Sequence, residues 1–252
     1  MQVDLNCDMA EGMGNEAAII PFITAANIAC GFHAGDEQTM RHVVRLCLGA
    51  GVSIGAHPSY PDREEFGRRD LAGTTVKPTD LHGIVTEQLE ALRDACRFEG
   101  ASLTHVKLHG ALYNRAAWDE QIAHPVCQAI ADTDPSLIVY ALSGSRMHDI
   151  ATSCGLRTMH EVFADRTYQD DGSLTPRSMP GALVSTREAA AEQARRMIVD
   201  GTVRTLSGKV IPIIAQTICL HGDGPHAVAF ARLLHSLVNE LKTTSPDGEP
   251  TA

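Results

Sequence analysis

Six clusters of polar residues stand out in this sequence, and each follows or ends a short apolar run. They lie at residues 4–8, 27–33, 55–58, 106–110, 161–166 and 218–223. They combine carboxylates, imidazoles, amides and a lysine, the groups that transfer protons, bind metal ions and hold anions. Catalytic side chains gather where several strands of a parallel α/β sheet or barrel end on one side. The pattern is therefore typical of an enzyme.

The first cluster places three polar residues on alternate positions of one strand. Asp4, Asn6 and Asp8 would point to the same face, where two carboxylates and an amide are costly unless a site or a polar network satisfies them. We expect Asp8, at the strand end, to serve the site, and Asp4 to lie in a buried network. Asn6 and Asn27 are candidate substrate-binding residues, and Glu11 is either a second acid or a solvated loop residue.

Histidines follow the second and third predicted strands. His33 lies between Gly31 and Gly35, and His57 directly precedes a proline. Together with Asp8, they would bring a carboxylate and two imidazoles to one point, which suits either a divalent metal or general acid–base catalysis. No local spacing such as H-E-x-x-H supports a metal. Both interpretations stay open, with Asp8, His33 and His57 as the candidate metal ligands.

The remaining clusters supply cations and the groups that orient them. Lys107 and His109 alternate onto one face of the fourth strand, where an inward lysine can clamp a phosphate or a carboxylate. Further candidates for binding or orienting an anionic substrate are Arg63, Glu161, Asp165, Arg166, Arg177, His221 and Asp223.

Composition argues against several other classes of protein. The chain has 252 residues, 44% of them hydrophobic, enough for one large core. Its net charge of −10 opposes binding to nucleic acid or to anionic membranes. The N-terminus lacks the basic and apolar regions of a signal peptide, so we expect a cytoplasmic protein. The seven cysteines include no C-x-x-C pair, as expected for reduced thiols rather than for a disulfide framework or structural zinc.

Strand-like runs alternate with segments of helical periodicity, as in a parallel sheet joined by crossover helices. The runs lie at about 2–8, 24–30, 52–57, 103–109, 136–142, 157–163 and 213–220. Helices are expected at 36–51, 81–100, 118–132, 145–153, 185–201 and 225–241. This order predicts an α/β fold, a distorted seven-stranded (β/α) barrel, with an open doubly wound sheet as the alternative. We assign one domain to residues 1–242 and a disordered tail to residues 243–252.

Two segments interrupt the alternation. Residues 58–78 and 164–180 carry many charged side chains and are too long for ordinary connections. Each follows a polar cluster directly. We therefore expect both to be functional loops.

The clusters extend into longer motifs that resemble the LamB/YcsF family. These are D-L-N-C-D-M (4–9), N-I-A-C-G-F-H-A-G-D (27–36), G-A-H-P-S-Y-P-D-R (55–63), K-L-H-G-A-L-Y-N (107–114), E-V-F-A-D-R-T-Y (161–168) and L-H-G-D (220–223). The resemblance runs in the family's order from residue 3 to about residue 240. The sequence departs from the family at Ala10, where glycine is usual, at Met13, where phenylalanine is usual, and at Leu108, where proline is common.

The resemblance implies a seven-stranded barrel akin to those of glycoside hydrolases and deacetylases. It also implies a role in the prokaryotic ATP-dependent 5-oxoprolinase, whose A subunits form this family and which opens the lactam of 5-oxo-L-proline to L-glutamate. ATP would be the cosubstrate, accompanied by Mg²⁺, and subunits B and C the partners. The sequence has no G-x-x-x-x-G-K-[ST] motif, since Gly208-Lys209 is followed by Val210.

With that substrate, Asp8 and His57 would activate water or transfer protons, and His33 would act at the same centre. Lys107 and Arg166 would bind phosphate or the lactam-derived anion. The groups expected to orient them are His109, Glu161, Asp165, His221 and Asp223. Two alternatives are a stand-alone metal-dependent hydrolase or deacetylase on the same barrel and a noncatalytic scaffold protein of the same complex.

Overall fold

The apolar runs of the sequence form parallel strands that close into a barrel in a computed structural model, which describes residues 3–222 and 227–244. The barrel strands are β1 (Asp4–Met9), β2 (Ala25–Ala29), β3 (Ser53–His57), β4 (His105–Lys107), β5 (Ile138–Leu142), β6 (Arg157–Phe163) and β9 (Thr217–Leu220). They pair in that order, and β9 pairs with β1 to close the barrel. The predicted seven-stranded (β/α) barrel is confirmed, and the open doubly wound sheet is wrong.

Helices surround the barrel and connect its strands. They are α1 (Glu16–Ile19), α2 (Glu37–Ala50), α3 (Leu81–Glu99), α4 (Gly110–Ala116), α5 (Glu120–Thr133), α6 (Met147–Ser153), α7 (Arg187–Val199) and α8 (Ala227–Thr244). The Asp36 side chain caps α2 by accepting from the Thr39 N–H, and Gly51 ends it in the left-handed conformation. Helix α7 is capped by Thr186, whose hydroxyl accepts from the Ala189 N–H, rather than by Ser185, the first residue of the predicted range 185–201.

Two short strands lie outside the barrel. Strands β7 (Thr202–Arg204) and β8 (Val210–Pro212) form an antiparallel hairpin that the sequence pattern did not reveal, because each has only three residues. Helix α8 continues to Thr244, two residues into the predicted tail, and residues 245–252 lie outside the described part of the chain. None of the helices within residues 3–222 and 227–244 combines the length and apolar character needed to cross a membrane.

A polar network fills the centre of the barrel. The Asn27 amide donates to Asn6 Oδ1 (2.8 Å) and Asp8 Oδ1 (2.9 Å), and the Asn6 amide donates to the Thr217 hydroxyl (2.7 Å). Asp4 accepts hydrogen bonds from the hydroxyls of Thr24, Tyr140 and Thr217. Since almost every polar atom of this layer has a partner, the network braces the barrel below the site.

Ala10 shows the cost of one departure from the family motif. Its φ angle is +62°, in the left-handed region that glycine adopts without penalty. The side chain is fully buried where the chain leaves β1. The usual glycine at this position is therefore explained by backbone geometry, and the turn keeps its shape here despite the Cβ atom.

Strand register forces one glycine in the barrel wall. Gly55 on β3 pairs with His105 on β4, and a Cβ atom built on Gly55 would overlap the His105 imidazole. That imidazole also contacts Asn27 Oδ1 at 3.0 Å. A side chain at position 55 would therefore disturb the central polar network directly.

We predict that Gly55→Ala lowers the free energy of unfolding by about 1–3 kcal/mol, the usual cost of overpacking a core. The matched control is Gly49→Ala in helix α2, where a new Cβ atom meets nothing within 4 Å. That control should raise stability by up to about 1 kcal/mol, because alanine is the better helix former. Urea denaturation measures both changes, and equal midpoints for the two variants would refute the packing argument.

Candidate active site

A cavity of about 610 Å³ opens at the carboxyl ends of the barrel strands. Strand ends, the loops that follow them and the start of α4 supply its walls. The ionisable groups that matter for chemistry are contributed by β1, β3, β4 and β9, and they are Asp8, Glu11, His57, Lys107, His109 and His221. The expected convergence of the polar clusters on one point is therefore present.

Lys107 is the buried cation at the base of this cavity. Its ammonium group lies 2.7 Å from Asp8 Oδ1, 2.9 Å from Cys219 Sγ and 3.2 Å from Glu161 Oε1. Burial lowers the pKa of Lys107, but Asp8, Cys219 and Glu161 more than offset it, and the net pKa is well above the ordinary value. The ammonium group therefore stays charged and acts as an electrostatic clamp rather than as a base.

Asp8 links this cation to the histidines. Its other oxygen, Oδ2, lies 3.4 Å from His57 Nε2. Burial raises the pKa of Asp8, but His57 and Lys107 lower it by a larger amount. The net pKa is therefore well below the ordinary value. Asp8 is therefore a carboxylate, as a water-orienting group requires.

Three imidazoles surround Glu11, which the sequence left open between a second acid and a solvated loop residue. Glu11 Oε1 lies 3.1 Å from His33 Nε2, 3.3 Å from His109 Nδ1 and 3.8 Å from His57 Nε2. His57 Nε2 and His109 Nδ1 are 2.9 Å apart. Glu11 is thus part of the site, and His33 contacts Glu11 rather than Asp8.

The electrostatics of this cluster keep Glu11 charged and the imidazoles of His33 and His109 neutral. Burial raises the pKa of Glu11, but the imidazoles of His109 and His33 beside its carboxylate lower it more, so the net pKa is well below the ordinary value. Burial is the main cause that lowers the pKa of His33 to about 3 and also lowers the pKa of His109. Neutral imidazoles offer lone pairs, the form that accepts protons or binds metal ions.

After β9, which pairs with β1, His221 forms a second dyad with Asp165. His221 Nδ1 lies 2.7 Å from Asp165 Oδ2. Burial lowers the pKa of His221, but Asp165 and then Asp8 raise it, and the net pKa is above the ordinary value of 6.5. A histidine held by a carboxylate in this way is suited to deliver a proton to a leaving group.

The three predicted arginines have different positions. Arg166 is buried, donates to the carbonyls of Thr175 and Ala182, and lines the cavity. Burial is the main cause that lowers its pKa to about 10, so it remains a cation. Arg177 is exposed and also lines the cavity. Arg63 instead donates to the carbonyls of Gly31 and Gly35, where it braces the loop that carries His33.

Three further predicted residues lie beneath the cavity rather than in its lining. Asn6 and Asn27 belong to the central polar network, where they position Asp8. Glu161 is fully buried beside Lys107, and its Oε1 lies 3.2 Å from the Lys107 ammonium group. These three residues therefore support the site from below. Asp223 lies outside the described residues.

Both long loops contribute to the site. In the first, Phe66 has φ +57° and turns its carbonyl to within 2.8 Å of His109 Nε2. A Cβ atom on Gly110 would lie 2.5 Å from the carbonyl oxygen of Gly67, so loop and helix α4 pack backbone against backbone. The second loop carries Arg166 and Arg177. Residues 58–78 are thus an ordered part of the site wall.

Sequence reasoning missed two residues that contact the site. Tyr113 lines the cavity, and burial together with the nearby Glu161 carboxylate raises the pKa of its hydroxyl well above the ordinary value. It stands in the K-L-H-G-A-L-Y-N motif, which was a usable signal. Cys219 contacts Lys107, but its place in an apolar run is typical of a simple core residue.

Two groups of side chains have the spacing of metal ligands among the described residues. One is Glu11, His33, His57 and His109, and the other is Asp8, Cys219 and His221. In each group, the potential ligand atoms lie within 4.8 Å of one another. The two predicted histidine ligands, His33 and His57, thus fall in one group, and Asp8 falls in the other.

Comparison with known proteins assigns this architecture to a family. A sequence model of the LamB/YcsF family matches residues 3–247. The chain belongs to the LamB/YcsF family. This confirms the resemblance seen in the motifs.

Relatives of this LamB/YcsF chain match it over nearly its full length. The A subunit of 5-oxoprolinase from Bordetella pertussis is 49% identical over 235 residues, which cover 91% of this chain and 92% of that protein. The corresponding A subunit from Brevibacillus brevis is 48% identical over 242 residues, 94% of each chain. A crystal structure of a lactam utilization protein from Thermus thermophilus superposes with a TM-score of 0.87 and 37% identity, covering 96% of this chain and 98% of that one.

We predict that Asp165→Asn in this LamB/YcsF chain lowers the pKa of His221. Burial lowers this pKa, and the substitution removes the carboxylate charge that raises it. In the wild type the raised pKa means that the ion pair stabilises the fold fully below pH 6.5 and loses this contribution as the pH rises through the folded pKa. Titration of the imidazole ¹H and ¹³C NMR signals measures the shift. Identical titration curves for the two proteins would show that Asp165 does not set the charge of His221.

Proposed function

We propose that this chain is the A subunit of a prokaryotic ATP-dependent 5-oxoprolinase, which opens the lactam ring of 5-oxo-L-proline to give L-glutamate. The observation that carries the proposal is the buried Lys107–Asp8 pair at the base of a cavity that His57 and His221 also line. The identity to proteins named as A subunits of 5-oxoprolinase, over more than nine-tenths of the chain, supports the substrate.

ATP would make the lactam reactive. A five-membered lactam resists hydrolysis, and phosphorylation of its carbonyl oxygen would create an activated electrophile with phosphate as a leaving group. Mg²⁺ would accompany the nucleotide. Gly208 and Lys209 lie in the turn of the β7–β8 hairpin, so phosphate contacts on this chain would fall to Lys107, Arg166 and Arg177. A cytoplasmic location fits this use of ATP.

The cations of the cavity suit the two ends of the substrate. Lys107 stays charged at the cavity base, where its ammonium group can stabilise negative charge that develops on the carbonyl oxygen or on an attached phosphate. Arg166 and Arg177 line the cavity from the loop after β6 and can pair with the substrate carboxylate. The substrate would thus lie between β4 and the loop after β6.

Two proton transfers complete the reaction. Water adds to the carbonyl carbon and gives its proton to the Asp8 carboxylate, whose Oδ2 lies 3.4 Å from His57 Nε2. The bond between the ring nitrogen and this carbon then breaks, and His221 supplies the proton that the departing nitrogen takes up. Without phosphorylation, the products are the free amine and the new carboxylate of glutamate. If the carbonyl oxygen was phosphorylated, ring opening leaves an acyl phosphate, and a second water hydrolyses it to the carboxylate and phosphate.

Partner subunits B and C belong to the proposal, because the relatives are named as one component of a larger enzyme. A second candidate function is a stand-alone metal-dependent hydrolase, and the group of three histidines and Glu11 favours it. Glutamate formation from 5-oxoproline separates the two. The proposed function requires ATP and both partners, whereas the alternative requires neither.

We predict that Lys107→Met lowers kcat for 5-oxoproline-dependent ADP formation in the three-subunit enzyme by about 100-fold or more, the usual loss when a charge-stabilising donor is removed. His221→Asn, whose side chain reaches the cavity surface, should lower kcat at least about tenfold because a general acid is lost. The control is Arg97→Gln, which removes an exposed ion pair with Asp94 on α3.

The control should keep wild-type turnover. Because Lys107→Met removes a buried cation, circular dichroism must first show that this variant folds, and His221→Asn provides an independent test if it does not. Wild-type kcat in His221→Asn, or in a folded Lys107→Met enzyme, would contradict the proposed roles.

A further inference from the structure

We propose that Glu11, His33, His57 and His109 form a binding site for one divalent transition-metal ion of the zinc class. The inference goes beyond the proposed function, which needs a metal only as the companion of ATP. It also differs from the sequence-based ligand set, because Glu11 and His109 take the place of Asp8.

Each imidazole has one nitrogen committed to an outer partner. His57 Nδ1 lies 2.8 Å from the Lys107 carbonyl oxygen, and His109 Nε2 lies 2.8 Å from the Phe66 carbonyl oxygen. A carbonyl only accepts, so both nitrogens carry protons. His33 Nδ1 lies 3.0 Å from the Ser59 hydroxyl, which itself donates to a carbonyl and therefore accepts from the imidazole. Such outer hydrogen bonds are what fixes the tautomer of metal-binding histidines.

The other three nitrogens then face one another with their lone pairs. His57 Nε2 and His109 Nδ1 are 2.9 Å apart, and Glu11 Oε1 lies 3.1 Å from His33 Nε2. Lone pairs and a carboxylate repel each other at these distances unless a cation lies among them. A single proton can bridge two of the four atoms, whereas a metal ion satisfies all four at once.

The spacing matches a four-coordinate centre. Ligand atoms at zinc bond lengths of about 2.0–2.1 Å sit about 3.3 Å apart at the corners of a tetrahedron. Four of the six separations among these atoms are 2.9, 3.1, 3.3 and 3.8 Å, which scatter around that value, and the ligand atoms of the group all lie within 4.8 Å of one another. Three imidazoles and one carboxylate also suit zinc and its neighbours better than Mg²⁺, which prefers six oxygen ligands.

One feature predicts a small adjustment on binding. The rings of His33 and His109 stack at 3.8 Å with only 5° between their planes, so both lone pairs cannot lie in plane with one ion. One ring must tilt. His33 is the better candidate, because its outer partner is a rotatable hydroxyl rather than a backbone carbonyl.

The second group of possible ligands has no room for a metal ion. The Lys107 ammonium group already lies 2.7 Å from Asp8 and 2.9 Å from Cys219, so a cation occupies the place a metal would take. The group of Asp8, Cys219 and His221 is therefore not part of the proposal. This contrast supplies a control within the same cavity.

The test uses the full chain, stripped with a chelator and titrated with Zn²⁺ against a chromophoric competitor. One ion per chain should bind. Glu11→Gln and His109→Gln should each weaken binding by about 100-fold or more, since even outer-shell changes cost 10–100-fold. Cys219→Ser, which alters only the second group, should bind as the wild type does. Circular dichroism checks that each variant folds.

X-ray absorption of the zinc-loaded wild type provides a readout that needs no variant. Scattering from several imidazoles and one oxygen ligand is expected. Less than about a tenth of an ion per chain, or a coordination shell without imidazole, would overturn the proposal. Equal zinc affinity in folded Glu11→Gln and wild type would also overturn it, as would loss of binding in Cys219→Ser.

Discussion

The buried ammonium group of Lys107 is the interaction on which the site depends. Asp8 and Glu161 are carboxylates inside the barrel, and each would pay a large desolvation cost without a partner. Lys107 lies within 3.2 Å of both, and it also contacts Cys219 on a third strand. One cation therefore compensates carboxylates from two strands, contacts a thiol on a third and fixes these strand ends relative to each other.

This arrangement divides the cavity into regions with different chemistry. Around Lys107 the positive charge is permanent, which suits the stabilisation of an oxyanion or a phosphate. Around Glu11 the imidazoles of His33 and His109 are neutral and offer lone pairs. After β9, the Asp165 carboxylate lies 2.7 Å from His221 and raises the pKa of its imidazole. A hydrolytic reaction needs these three properties together, and the barrel brings them within one cavity.

Much of the fold could be predicted from the sequence, because apolar runs and helical periodicity report burial directly. Asp8, His57, Lys107 and His221 could also be placed, since each ends a strand and such residues share one face of a barrel. The role of Glu11 could not, because its burial depends on imidazoles from three different loops. The positions of Asn27 and Arg63 could not be predicted either. A polar residue in the sequence does not show whether its side chain faces a cavity or supports a neighbouring residue.

The physical claim at the centre of this account is the coupling between Lys107 and Asp8. It is tested most directly by a double-mutant cycle on the free energy of unfolding, with Lys107→Met, Asp8→Asn and the double variant. We expect each single substitution to cost about 3–5 kcal/mol, because it leaves a buried charge without compensation, and the double variant to cost clearly less than the sum. Additive costs, within about 0.5 kcal/mol, would contradict the claim that this pair holds the site together.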